Sequence, residues 1–70
     1  MLKRGDIVRL EFPDEPKTMD HWVVVAVAPD NGLHDDRVDI VRIEDVKTPL
    51  QTDGTGMPIK YIKKIGRLVG

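Results

Sequence analysis

The stretch at residues 57–65, MPIKYIKKI, contains the pattern that decides the fold of this chain. Pro58 fixes φ and suits the start of a single 3₁₀ turn. Because such a turn has a pitch of three residues, Ile59 and Ile62 fall on one side. The pattern therefore predicts a 3₁₀ turn that begins at the proline and leads into a last β-strand, whose first apolar residues enter the core.

Upstream of this turn the chain shows β-strand patterns and no helical period of useful length. Residues 7–12 alternate between an apolar and a polar face, as a half-buried strand does. Residues 22–28 form an almost unbroken β-branched run, which predicts a central strand covered on both faces. The remaining strands are expected at residues 38–43, at residues 48–51 (an edge strand, because proline lacks a ladder donor) and at residues 63–69.

Two segments with turn chemistry separate these strands. Pro-Asp-Asn-Gly at residues 29–32 contains two residue types that tolerate positive φ, and Asp-Gly-Thr-Gly at residues 53–56 predicts another turn. Short strands joined in this way predict an all-β fold, a small five-stranded, strongly bent antiparallel barrel that forms one domain over residues 1–70. The expected core contains Val8, Leu10, Val24, Ile40, Ile43, Ile62 and Ile65.

The strand order, together with Pro58, Tyr61 and Ile62, resembles that of SH3 barrels. The resemblance implies an SH3-like barrel with one 3₁₀ turn before the last strand, from which Tyr61 points outward, and places residues 13–20 at the RT loop. The chain lacks the tyrosine-rich opening and the tandem tryptophan of the signalling SH3 domains. Since a groove that grips polyproline needs several aromatic walls, we do not expect a reader of proline-rich peptides.

The opposite end of the chain carries a second resemblance. KRGDIV at residues 3–8, then Phe12-Pro13 and a strand that ends in Pro29-Asp30, is similar to the opening of the MazF/PemK ribonuclease toxins, which are themselves SH3-like barrels. It covers about the first thirty residues. His21-Trp22 stands where that family has an arginine-proline pair, Ile43-Glu44-Asp45 where it has a serine or threonine, and the family's C-terminal half with its helix is missing.

Composition limits the chemistry that the chain can perform. It has 70 residues, no cysteine, 40% hydrophobic residues and 33% charged residues. Disulfides, thiolate metal sites and cysteine nucleophiles are therefore excluded. No apolar run approaches the ~20 residues that a membrane span needs, so we expect a folded cytoplasmic protein with no membrane partner. Self-association stays open as a way to add buried area.

The charge distribution is bipolar, a pattern that is more often a solvated surface than a nucleic-acid-binding one. The net charge is −1, but residues 21–45 sum to −4 and residues 46–70 sum to +4, with the basic set clustered around Tyr61. Trp22 is either a core residue under Tyr61 or its neighbour on the surface, where the two aromatic rings would suit a protein partner or unpaired bases. The predicted binding residues are Trp22, Lys60, Tyr61, Lys63, Lys64 and Arg67, with the acidic stretch near residue 35 as a second contact.

Other chemical candidates are weak, and neither a catalytic nor a metal site nor a cofactor is predicted. His21 and His34 could act as general bases only beside a nucleophile or a phosphate site. His34 with the two aspartates that follow lacks the spacing of a calcium loop. Gly54 and Gly56 form no phosphate cradle, because no Lys-Ser/Thr pair follows them.

Three functions follow from these observations. The first is a non-catalytic SH3-like module that binds another protein, as an accessory, inhibitor or assembly factor of a bacterium or mobile element. The second is a nucleic-acid-binding barrel that uses the C-terminal lysines, against which the near-zero total charge counts. The third is a reduced MazF/PemK-like endoribonuclease toxin. The small size and the absence of a catalytic constellation favour the first.

Overall fold

The computed structural model describes residues 1–16, 19–32 and 34–68, and these form five β-strands and two 3₁₀ turns. The predicted all-β class is confirmed. The predicted end of the last strand, Val69, and the middle of the proposed RT loop lie outside the described residues. The strands are β1 (Asp6–Leu10), β2 (Trp22–Ala26), β3 (Arg37–Arg42), β4 (Thr55–Pro58) and β5 (Ile62–Arg67), and the 3₁₀ turns are Ile43–Asp45 and Ile59–Tyr61.

All five strands belong to one antiparallel sheet with the order β4-β3-β2-β1-β5. The first and last strands are therefore neighbours, and β4 and β5 are the two edges. Among the described residues no ladder joins β4 to β5, so the sheet is not closed by hydrogen bonds. The observed architecture is an open five-stranded sheet.

β2 occupies the centre of the sheet, as its composition predicts. Its residues Val23, Val24, Val25 and Ala26 are all buried. A strand with neighbours on both sides and covered faces has no room for alternating polar residues, which explains the unbroken apolar run. The prediction of a central strand is confirmed.

The core lies on one face of the sheet and contains five of its most buried apolar side chains. Four of the predicted core residues are among them, and Ile62 is half-buried and packs against the cluster. The prediction that Ile43 and Ile65 belong to the core is wrong, since each side chain is 41% exposed. Ile43 begins the 3₁₀ turn in which the chain leaves β3, and Ile65 is the extra residue of a β-bulge in β5. The cluster is Val8, Leu10, Val24, Val38 and Ile40.

The fourth strand lies later in the chain than the turn chemistry predicts. Residues 48–51 form a bend followed by irregular backbone, and β4 begins at Thr55, inside the predicted Asp-Gly-Thr-Gly turn. Gly54 makes this possible, because a Cβ atom there would lie 2.6 Å from the carbonyl oxygen of Ile40. A residue without a side chain lets the chain approach β3 closely enough for pairing to start, with Thr55 opposite Ile40.

A tight turn leads into β1. Gly5 has φ +97°, a region that L-residues with side chains rarely adopt. Asp6 is fully buried, and its Oδ2 accepts a hydrogen bond of 2.8 Å from the backbone N–H of Lys3. The Gly5 N–H donates to the carbonyl of Val24, so the turn is tied to β2. The Gly-Asp pair thus has a structural role in this chain.

Candidate functional site

The predicted 3₁₀ turn at Ile59–Tyr61 positions the central residue of the candidate site. The turn closes with a hydrogen bond from the Ile62 N–H to the Ile59 carbonyl. The Tyr61 carbonyl accepts a hydrogen bond of 2.8 Å from the N–H of Glu11, just after β1. The backbone of Tyr61 is therefore held on both sides, by the turn and by β1.

The side chain of Tyr61 is half-buried between an aromatic ring and a cation. Its ring centroid lies 5.0 Å from that of Phe12, with an interplanar angle of 49°. The Nζ atom of Lys60 lies 5.0 Å from the Tyr61 ring centroid. Sequence reasoning left Phe12 out of the site, although the alternation of residues 7–12 puts it on the same face as Leu10. We call Phe12, Lys60 and Tyr61 the closing-turn surface.

Trp22 belongs to a different environment. It is half-buried and packs against the core cluster, and the guanidinium carbon of Arg42 lies 5.1 Å from its ring centroid. Arg42 also approaches Asp20 and Glu44, with N–O distances of 3.6 and 3.7 Å. Trp22 therefore forms part of the core edge beside the Arg42 guanidinium, whereas the ring that packs against Tyr61 is that of Phe12.

The two lysines of β5 lie on opposite faces of the sheet. Lys63 pairs with Arg9, and Lys64 pairs with Val8, which belongs to the core face. The Lys64 Nζ lies 3.3 Å from Oδ1 of the buried Asp6. This contact is an ion pair that lacks hydrogen-bond geometry. Lys64 therefore compensates a buried carboxylate, whereas Lys63, opposite Arg9, lies on the face of the sheet away from Leu10 and Phe12.

Arg67 is separated from Tyr61 by the length of β5. It follows Ile62 by five residues, which is ~16 Å of strand. There it lines a groove of about 440 Å³ between the first turn, the segment after β3 and the end of β5. We call this the basic groove. Its lining residues are Arg4, Gly5, Val46, Lys47, Thr48, Leu50, Arg67 and Leu68.

Beside the closing-turn surface lies a second groove, of about 410 Å³. It is lined by two apolar residues, Pro58 and Ile59, and by Asp36, Arg37 and Lys60. The Ile59 N–H donates to the Asp36 carbonyl over 2.9 Å, which ties the 3₁₀ turn to the start of β3. Charges of both signs and an exposed isoleucine thus adjoin the aromatic pair.

The two histidines stand apart from any cluster of ligands. Both are exposed; His21 lines a small groove with Asp20, Arg42 and Glu44. The His34 carbonyl accepts a 2.7 Å hydrogen bond from Nδ2 of Asn31, within the loop before β3. Among residues 1–16, 19–32 and 34–68, no three His, Asp or Glu side chains come close enough to hold a metal ion.

No family model matches this chain, and neither a curated protein nor a solved structure matches it. In the part of the chain that the structure describes, none of the helical segments has the length and apolar character needed to cross a membrane.

Proposed function

We propose that this chain is a small, non-catalytic SH3-like binding module that acts by binding another protein through the closing-turn surface. The position of β5 beside β1 and the 3₁₀ turn between β4 and β5 support the resemblance to SH3-like barrels. The observation that carries the proposal is the half-buried Tyr61, held by its backbone and packed against Phe12.

An aromatic residue fixed in this way suits a binding hot spot. Tyrosine offers a large contact area with few rotatable bonds, so little conformational entropy is lost when a partner covers it. Here the turn and the Phe12 contact already restrict the ring before any partner arrives. The free protein is thus prepared for binding.

The surroundings of Tyr61 favour a protein over a nucleic acid. The adjoining groove contains Asp36 as well as Arg37 and Lys60, and its apolar residues are Pro58 and Ile59. A strand-binding groove that follows phosphates is instead lined with positive charge. Two of the cations expected to extend such a groove, Lys64 and Arg67, lie elsewhere on the molecule.

The proposal assigns no catalysis to the chain. The exposed histidines lie on separate segments, and neither lies within the closing-turn surface. Purified protein should therefore leave RNA intact. Cleavage that disappears in His21→Ala would contradict this and favour the ribonuclease alternative.

The test is affinity capture from a bacterial lysate with the wild-type chain, Tyr61→Ala and Arg67→Gln, each with and without nuclease. A protein identified by mass spectrometry should be lost with Tyr61→Ala, retained with Arg67→Gln and unaffected by nuclease. Its affinity, remeasured with purified partner, should depend only mildly on salt. Nuclease-sensitive capture with a steep salt dependence would show a nucleic-acid binder and contradict the proposal.

A further inference from the structure

The basic groove has the features of a second binding site, distinct from the closing-turn surface. We propose that it binds an acidic peptide segment of a partner protein, with an aliphatic side chain on the groove floor and carboxylates at its cationic rim. The cations are Arg4, Lys47 and Arg67, and the apolar floor is formed by Val46, Leu50 and Leu68.

The cationic rim comes from three separate parts of the chain. Arg4 belongs to the first turn, Lys47 to the segment after β3, and Arg67 to the end of β5. No acidic residue is among the described residues that line the groove. Three positive charges that line one groove without a carboxylate repel one another. An anionic ligand reduces this repulsion.

The carboxylate that faces Arg67 across the β1–β5 ladder is already occupied. Asp6 lies opposite Arg67 in the β1–β5 register. Its Oδ2 accepts the Lys3 N–H and its Oδ1 faces the Lys64 ammonium, 3.3 Å away. The lysine of β5 thus compensates the buried aspartate and leaves the arginine for the groove.

The groove floor is apolar and is linked to its rim. A guanidinium nitrogen of Arg4 donates a hydrogen bond to the Leu50 carbonyl, which joins the first turn to the segment after β3. Leu68 is 37% exposed, so its side chain offers apolar surface to a ligand. Guanidinium groups suit carboxylates because they donate in parallel pairs.

The residues that line the basic groove argue against two other anionic ligands, single-stranded nucleic acid and inorganic phosphate. None of the described residues along the groove has an aromatic side chain, so unpaired bases would have no ring to stack on. An inorganic phosphate would leave the apolar floor exposed to water. An acidic peptide with an aliphatic residue uses both parts, and about 440 Å³ is within the size of grooves that bind small ligands.

This inference rests on the proposed function in one respect, since both take the ligand to be a protein. The two surfaces are separable, because Tyr61 contributes to one and not to the other. Tyr61→Ala should abolish capture through the closing-turn surface and leave the basic groove intact. Conversely, failure of the groove to bind peptide would leave the proposed function standing.

The experiment is an amide-shift titration of the full chain with an acetylated peptide of alternating aspartate and leucine. Shifts should concentrate at Gly5, Val46 and Thr48. The double variant Lys47→Gln/Arg67→Gln should bind at least about tenfold more weakly, since it removes two charge-assisted contacts at exposed positions. Both substitutions leave the Arg4–Leu50 hydrogen bond in place.

The matched control is Lys60→Gln/Lys63→Gln, which removes the same charge at two exposed positions outside the basic groove and should bind the peptide as the wild type does. Equal weakening in both double variants would show unspecific attraction and overturn the proposal. Equal binding of a peptide in which serine replaces leucine would overturn the role of the floor. Tighter binding of oligothymidylate at the groove, or no binding of peptide, would also overturn it.

Discussion

Asp6 and Lys64 form an ion pair whose two members differ in exposure: the carboxylate is fully buried, whereas the lysine side chain is about half exposed. The pair joins β1 to β5 at the point where β5 bulges. A buried carboxylate without its cation is costly, so Lys64 stabilises the fold. Its substitution is therefore unsuitable as a test of binding.

Asp6→Ala should destabilise the fold by about 1–3 kcal/mol, because the Lys3 N–H loses its acceptor. Asp6→Asn keeps an acceptor and should cost less. A double-mutant cycle with Lys64→Gln should give a coupling of about 0.5–3 kcal/mol in urea unfolding. A coupling of zero would mean that the ion pair contributes nothing.

Ile40→Ala and Ile65→Ala should separate the true core from the apolar residues outside it. Ile40 is 1% exposed, so its truncation should cost about 2–5 kcal/mol. Ile65 lies in the bulge and is largely accessible, and its truncation should change the free energy of unfolding by about 0.5 kcal/mol or less. Similar losses in thermal unfolding would contradict the observed register of β5.

Fold class, the central strand and the closing 3₁₀ turn could be predicted because each depends on local chemistry. The β-branched run favours the extended conformation of β2. Pro58 fixes φ and so favours the 3₁₀ turn that follows it. The position of β4 could not be predicted, since Gly54 reads as a turn residue unless its closeness to Ile40 is known. The bulge at Ile65 likewise depends on pairing with a strand more than fifty residues away.

Gly54→Ala and Gly66→Ala provide a paired test of that close approach. At Gly54 the new Cβ would meet three backbone atoms of Ile40 within 3.0 Å, so β4 would have to move. We expect a loss of about 1–3 kcal/mol, as for overpacked sites. At Gly66 the nearest atoms belong to Ile7 at 4.0 Å, an ordinary contact, and alanine should be tolerated.

Equal stability of the two alanine variants in chemical unfolding would show that β4 does not start beside Ile40. Amide exchange gives an independent check. Gly54→Ala should accelerate exchange in β4 more than in β1, because the clash lies at the start of the β3–β4 ladder.

Phe12→Leu should weaken partner binding although the substitution keeps an apolar residue at that position. The aromatic contact with Tyr61 is worth about 0.5–1.5 kcal/mol beyond area burial, and its loss frees the tyrosine ring. Phe12→Tyr keeps the ring and is the control. The check is the affinity for the protein captured by the wild type; equal affinity of the two variants would contradict a pre-organised Tyr61.

The candidate site was only partly predictable, because local sequence determines contacts within a turn but not those made by strand pairing. Lys60 and Tyr61 come together because they are adjacent in one turn. Three other cations are near Tyr61 in sequence but not in space. Strand alternation carries Lys63 to the opposite face, Lys64 pairs with Asp6, and the length of β5 separates Arg67 from the turn. Arg4 joins Arg67 only through the pairing of β1 with β5, which charge counting along the chain does not reveal.

The pairing of β1 with β5 also determines when the edge of β1 is covered during translation. β1 leaves the ribosome early, but the strand that covers its outer edge is completed only at Arg67. During this interval the nascent chain exposes the unpaired N–H and C=O groups of β1, which other chains can pair with. Ribosome-bound chains stalled before β5 should therefore bind chaperone, whereas chains released after it should not.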